Sequence, residues 1–329
     1  MSTARTSLRA ARFTVPAAAL ALALAACAPS GAADDAGDDA AAAPAASAGP
    51  ITVEHAQGTT ELEGVPATVF SFDWGATSVI DALGVEVQGV PKQNAPTLFA
   101  DLASSDSVID VGTLFEPDYE TIAAQAPDLV IVGGRSSATL PELKKIAPTV
   151  DLSNDWTDNV ESSKANALTI GRIFGKEAEA QKLVDTLDAS IADVKAKAAD
   201  AGTALIVLTS GGEVTAYGAG GRFGFLHDSL GFAPAADISE EAQHGQAISF
   251  EFILETDPDW LFVIDRDSAT GQGAKTAEQV LDNEIIAKTK AAANNQIVYV
   301  DPTTWYIMGG GVVALQSIAD EVGAVLDAR

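Results

Sequence analysis

Tyr119-Glu-Thr-Ile-Ala-Ala-Gln-Ala-Pro-Asp-Leu-Val-Ile-Val-Gly-Gly-Arg135 and Phe250-Glu-Phe-Ile-Leu-Glu-Thr-Asp-Pro-Asp-Trp-Leu-Phe-Val-Ile-Asp-Arg266 are one unit written twice. Each reads Glu, six residues, Pro-Asp, six residues, Arg. Each predicts a short helix, a Pro-Asp turn, a buried strand, and an arginine at the strand's carboxyl end. An internal repeat of this kind indicates two related halves.

The flanking sequence continues the pattern. Ala67–Phe72, Asp128–Val132, Ala204–Thr209, Trp260–Ile264 and Gln296–Val300 are short apolar runs rich in β-branched and aromatic residues. Helical stretches follow at Thr77–Leu83, before Gly84, and at Pro141–Ile146. Such alternation predicts parallel sheets covered on both faces. Between the halves, Asn159–Phe174 reads as one helix ended by Gly175, and Lys176–Ala201 as a second ended by Gly202. In the second, Leu183, Leu187, Ile191 and Val194 keep helical spacing. Its expected length, about 36 Å, suffices to cross a lobe and form a spine between hinged halves. The reading is α/β, with two Rossmann-like lobes at 51–158 and 203–329 joined by helices at 159–202.

The N-terminus has a different logic. Arg5, Arg9 and Arg12 precede an apolar run, Val15–Leu24, and then Leu24-Ala-Ala-Cys27. This is the layout of a secretory signal, 1–26, and the run is too short for a permanent span. Cys27 is the sole cysteine, placed as in a bacterial lipobox, so its lipidation is expected; ordinary signal cleavage is the plainer alternative. Ala28–Pro50 lacks aromatic residues and is rich in Ala, Gly, Asp, Ser and Pro, the composition of a tether. The body of about 280 residues is long enough for a core that stands without disulfides. The formal charge is −27; removing three arginines and no acid with the signal makes it −30, which excludes a nucleic-acid footprint.

Against that acidity, arginine is scarce. Beyond the signal only Arg135, Arg172, Arg222, Arg266 and Arg329 occur. Arg135 and Arg266 end strands and Arg222 sits in the loop Gly218-Ala-Gly-Gly-Arg-Phe-Gly224. Ligands of open α/β sheets bind outside the carboxyl ends of strands, where three guanidiniums would clasp a polyanion. Surface arginines paired with the many acids are the plain alternative. The glycine loop is no dinucleotide fingerprint, because Phe223 stands where the third glycine belongs. His55 and His227 read as structural or solvated. His244, in a polar loop, and Tyr306, at a strand end near Gly309-Gly-Gly311, are candidate donors to a hard Fe(III) ion. HExxH, P-loop and G-x-S-x-G signatures are absent, so no enzyme is indicated.

Gly221–Gly231, His244–Leu254, Pro258–Arg266, Ala287–Ala292 and Trp305-Tyr306 together resemble the catecholate-siderophore binding lipoproteins of bacterial ABC iron importers, of the enterobactin and petrobactin type. The resemblance implies a class III, helical-backbone periplasmic binding protein fold. It implies that Arg135, Arg222 and Arg266 clasp the anion, and that His244 and Tyr306 complete the iron shell of a chelator with four donors. It also implies that Glu120 and Glu251 dock the permease, although a carboxylate is favourable at any helix start. The implied protein is an extracytoplasmic, lipid-anchored monomer whose ligand is a ferric siderophore, with no tightly bound cofactor. Other iron chelates, haem or a corrinoid, an exported α/β enzyme, and a purely structural lipoprotein are the competing readings.

Overall fold

The computed structural model describes residues 49–93, 95–238, 245–273 and 275–328. Cys27 and His244 lie outside the described residues.

The first half opens with a hairpin, β1 (Ile51–His55) and β2 (Gly58–Leu62). A five-stranded sheet follows, built from β3 (Val69–Ser71), β4 (Gly89–Val90), β5 (Ile109–Asp110), β6 (Leu129–Val132) and β7 (Thr149–Asp151). Its order is β5-β4-β3-β6-β7 and every pairing is parallel. Helices α1 (Trp74–Ala82), α2 (Ala100–Ser104), α3 (Tyr119–Gln125) and α4 (Leu140–Leu143) connect the strands. The hairpin leans on the free edge of β7, where Ala56 N donates to Asp151 O at 3.1 Å.

Two helices then cross to the second half: α5 (Asn159–Phe174) and α6 (Glu177–Ala198). α5 has the expected bounds, because Gly175 takes a φ of 63° that stops a helix. α6 ends three residues before the expected Ala201 and is about 33 Å long. Glu177 and Glu179 in its first turn and Lys195 and Lys197 in its last complement the helix dipole.

The second sheet contains β8 (Thr203–Ser210), β9 (Glu213–Tyr217), β10 (Ala233–Pro234), β11 (Gln246–Ile248), β12 (Trp260–Asp265) and β13 (Ile297–Tyr299). Its order is β11-β9-β8-β12-β13, with β10 beside the start of β8. Here the expectation of purely parallel sheets is corrected. β9 runs antiparallel to both its neighbours, β8 and β11; its reversal follows from Gly211-Gly212, both at positive φ, which turn β8 straight back into β9. The helices of this half are α7 (Phe225–Asp228), α8 (Phe250–Thr256), α9 (Arg266–Thr270), α10 (Ala277–Leu281), α11 (Lys290–Ala293) and α12 (Val312–Asp327). No described helix is long and apolar enough to cross a membrane.

The repeat has a shared three-dimensional form. α3 and α8 both end on a non-glycine residue in the left-handed region, Ala126 at φ 46° and Asp257 at φ 44°. The next residue is proline in both, which disfavours continued α geometry. The aspartate after it then fastens the neighbouring strand. Asp128 Oδ2 accepts from Ala67 N and Thr68 N, and Asp259 Oδ2 accepts from Thr203 N, at 2.8–2.9 Å. β6 and β12 thereby lie parallel to β3 and β8 with arginine just beyond their carboxyl ends.

Side-chain alternation feeds both faces of each sheet. Val130 and Val132 belong to a cluster with Phe70, Phe72 and Ile122 of α3, while Leu129 and Ile131 belong to the cluster that includes Ile80 of α1 and Ile170 of α5. Leu205, Val207, Leu261 and Val263 form a separate core on the far side of the second sheet. Ile206, Leu208, Phe262 and Ile264 belong to the same apolar cluster as Leu129, Ile131, Ile170, Leu187 and Leu315. One continuous core therefore runs through α5, α6 and α12 between the sheets. Each such fully buried side chain stabilises by about 1.5–3 kcal/mol.

Candidate functional site

Each arginine is carried by a different local device. Arg135 follows β6 through Gly133 and Gly134, the latter at φ 49°. A Cβ on Gly133 would lie 2.7 Å from Asp73 Oδ2, so only glycine fits beside that carboxylate. Gly134 N donates to Ser153 Oγ at 2.8 Å, which fixes the turn. Arg266 opens α9 immediately after β12, with Asp265 capping the helix through Ser268 N at 2.9 Å. Arg222 stands in the glycine loop, which is tied to α7 where Gly220 N donates to Asp228 Oδ2 at 2.9 Å.

All three side chains meet at Tyr306. Arg135 Nη2 and Arg222 Nη2 donate to the Tyr306 carbonyl at 3.0 and 2.7 Å. Arg266 Nε donates to the Tyr306 hydroxyl at 2.9 Å, and its Nη1 to Ser210 Oγ at 2.7 Å. The guanidinium carbons stand 4.9, 4.5 and 5.8 Å from the Tyr306 ring centroid, in the order Arg135, Arg222, Arg266. Such cation–π contacts help offset the repulsion of three like charges. Tyr306 does not sit at a strand end, where the sequence places it. It lies on a π-helical turn, Thr303–Met308, a wide turn that presents its carbonyl and ring together.

The local electrostatics follow. Burial, and then the like charge of Arg222, hold Arg135 below the usual arginine range, yet it stays cationic. Arg266 is pushed up, first by its bond to Tyr306. Burial alone would raise the Tyr306 phenol, but the Arg266 hydrogen bond and the three guanidinium charges outweigh it and bring it down. Tyr217 goes the other way, raised by burial. Among the described residues the ion pairs join lysines to acids, and none involves Arg135, Arg222 or Arg266. The trio is thus positive charge held out of ion pairs in a strongly anionic chain, with Asp73 and Asp267 acting on Arg135 and Arg266 only through space.

Behind it lies a small cavity of about 70 Å³, lined by Asp73, Asn154, Trp156, Arg135 and Arg222 among others. Asp73 caps α1 by accepting from Ala76 N at 2.7 Å, and its carboxyl is raised to about 6, chiefly by burial. Asp73, Ser210 and Phe223, whose ring lies 5.1 Å below Arg222, are site residues that the sequence does not single out. Ser210 has a signal, the Ser-Gly-Gly at the end of β8; Asp73 reads only as a helix cap. Glu120 and Glu251 lie exposed in the first turns of α3 and α8, at equivalent places of the repeat. His227 is buried with Nδ1 3.0 Å from Phe232 O, and His55 pairs with Thr60 in the hairpin. Among the described residues no group of three or more His, Cys, Asp or Glu is gathered to hold a metal.

Two α/β sheets backed by shared helices, with cationic groups gathered at strand ends, define a substrate-binding protein. The profile described as periplasmic binding protein matches residues 69–304, and the chain belongs to that family. It is 38% identical over 277 residues to the petrobactin-binding protein YclQ of Bacillus subtilis, covering 83% of this chain and 87% of that one. The crystal structure of YclQ superposes with a TM-score of 0.81, over 85% of this chain and 99% of that one. The ferric-anguibactin-binding protein FatB of Vibrio anguillarum is 33% identical over 83% of this chain and 86% of its own. The catecholate-siderophore binding protein VctP of Vibrio cholerae gives a TM-score of 0.78 at 34% identity, covering 84% and 99%. The fold is the class III form, and the chain is an extracytoplasmic binding protein rather than an enzyme.

Proposed function

We propose that this protein captures a ferric catecholate siderophore between lobes 51–158 and 203–329 and delivers it to the permease of an ABC importer. The observation that carries the reading is the convergence of Arg135, Arg222 and Arg266 on Tyr306, with no ion pair to any of the three among the described residues. A ferric catecholate is a compact anion with flat rings. Guanidiniums attract its charge, fork onto its oxygens and stack on its rings. The iron is cargo and arrives inside its chelator. The relatives named for petrobactin, anguibactin and catecholates support this ligand class.

Finer roles follow from the same reading. His244 and the Tyr306 phenol fill iron positions that a four-donor chelator leaves open. The fall in the Tyr306 pKa favours this, because iron binds the phenolate. Glu120 and Glu251 offer one carboxylate per lobe to the permease. Cys27 carries the lipid that holds the protein to the membrane, and the protein works as a monomer.

Titration of wild type and His244→Ala with four-donor and six-donor ferric catecholates tests the proposal. Wild type is expected to bind both, and the variant to lose affinity for the four-donor complex alone. Failure of wild type to bind any ferric catecholate refutes the function. Equal loss on both complexes refutes the iron-shell role.

A further inference from the structure

Phe115 is the most exposed large apolar side chain among the described residues, at 67%. Loose chain is not the cause, because the loop that carries it is closely bonded. Gly112 and Pro117 form an antiparallel bridge, and Asp118 N donates to Val111 O at 2.8 Å. Thr113 N donates to Glu116 O at 3.0 Å, and Glu116 N to Thr113 Oγ1 at 2.9 Å. Gly112 sits at φ 97°, and a Cβ there would lie 2.6 Å from Glu116 O, so the turn tolerates only glycine. Leu114, the adjacent residue, packs into the core. The loop therefore anchors one half-buried side chain on the core and holds the next one out.

Phe115 is held out over the cleft. It lines a cavity of about 260 Å³ together with Arg135, Arg266, Tyr306, Gln93 and Gln272. One wall is a bare aromatic face from the first half of the chain. The others carry guanidiniums and the tyrosine. A ligand that suits both kinds of wall combines anionic oxygens with a flat ring.

Resting on the function proposed above, we infer that Phe115 is a ligand-contacting, specificity-determining residue that stacks on an aryl ring of the ferric chelate. It sharpens the discrimination of aryl chelates from aliphatic ones, because the arginines, although they also stack on rings, attract any anionic oxygen. An aromatic pair gains beyond the area it buries, so losing the ring is expected to weaken an aryl chelate about 10-fold.

The test titrates the full chain with the ferric complexes of 2,3-dihydroxybenzoate and of citrate. Wild type, Phe115→Ala, Phe115→Leu, Phe115→Tyr and Arg266→Ala are compared. The aryl complex is expected to weaken about 10-fold with Ala, less with Leu, and to hold with Tyr. Ferric citrate, which has no ring, is expected to bind wild type more weakly and Phe115→Ala no differently. Arg266→Ala is expected to weaken both. Phe115→Ala within two-fold of wild type on the aryl complex, or equal losses on both complexes, overturns the inference while leaving the function standing. Wild type that binds neither complex overturns both. Phe115 is solvent-exposed, so thermal unfolding of its variants is expected to match wild type, which separates lost stacking from lost folding.

Discussion

Arg222→Ala isolates the cationic trio. Among the described residues Arg222 makes one hydrogen bond, 2.7 Å to the Tyr306 carbonyl, and it stacks on the rings of Tyr306 and Phe223. Losing one member of a buried charged contact costs about 2–5 kcal/mol. Arg222 is half-buried, so the lower part of that range applies. At about 1.4 kcal/mol per decade, 2–3 kcal/mol is a roughly 30- to 150-fold rise in Kd. Within the protein itself the variant gives up one hydrogen bond and cation–π stacking, so unfolding is expected to shift by only a few degrees. Fluorescence titration with a ferric catecholate reads the affinity. Trp156 is well placed as the probe, lining the small cavity together with Arg222. Arg222→Lys is expected to recover part of the loss, keeping the charge but not the planar fork. Arg172→Ala, on the exposed side of α5, is the control and is expected to bind as wild type does. Wild-type affinity in Arg222→Ala, or an equal loss in Arg172→Ala, refutes the claim that local cationic convergence holds the ligand.

Two further predictions concern the frame around the site. The Asp73 carboxyl, raised to about 6 mainly by burial, ionises at lower pH when unfolded, so this group removes stability as pH rises from about 4 to about 6. Asn at position 73 keeps an oxygen for the α1 cap and does not titrate. Asp73→Asn is therefore expected to gain up to about 3 kcal/mol on wild type between pH 4 and pH 7 by chemical denaturation, and a difference that stays flat with pH contradicts the assignment. Gly75→Ala would place a Cβ 2.6 Å from the Gly310 carbonyl oxygen, a backbone atom with little room to move. The overpacking, about 1–3 kcal/mol, is expected to exceed the helix-propensity gain of about 0.5–1 kcal/mol and lower the melting temperature. An unchanged or higher melting temperature shows that the approach of α1 to the Gly309–Gly311 segment is not tight.

While the other strands escaped it, the sequence by itself determined five of the described strands, β3, β6, β8, β12 and β13, the ends of α5 and the placement of two arginines. These rest on local causes: β-branched runs, a glycine at position 175, proline after a seven-residue helix, and an Asp that ties the next strand. Local causes act over a few residues and survive in a one-dimensional reading. The antiparallel turn at Gly211-Gly212 also has a local signal, which the expectation of parallel strands overrides. Only the tertiary structure decided that Arg135, Arg222 and Arg266 share one partner, because they reach Tyr306 across 171, 84 and 40 positions of chain. No periodicity encodes such meetings; the packing of two sheets on common helices sets them. The same holds for Phe115, whose apolar ring resembles any core residue in the sequence, and which only the fold leaves bare above the cleft.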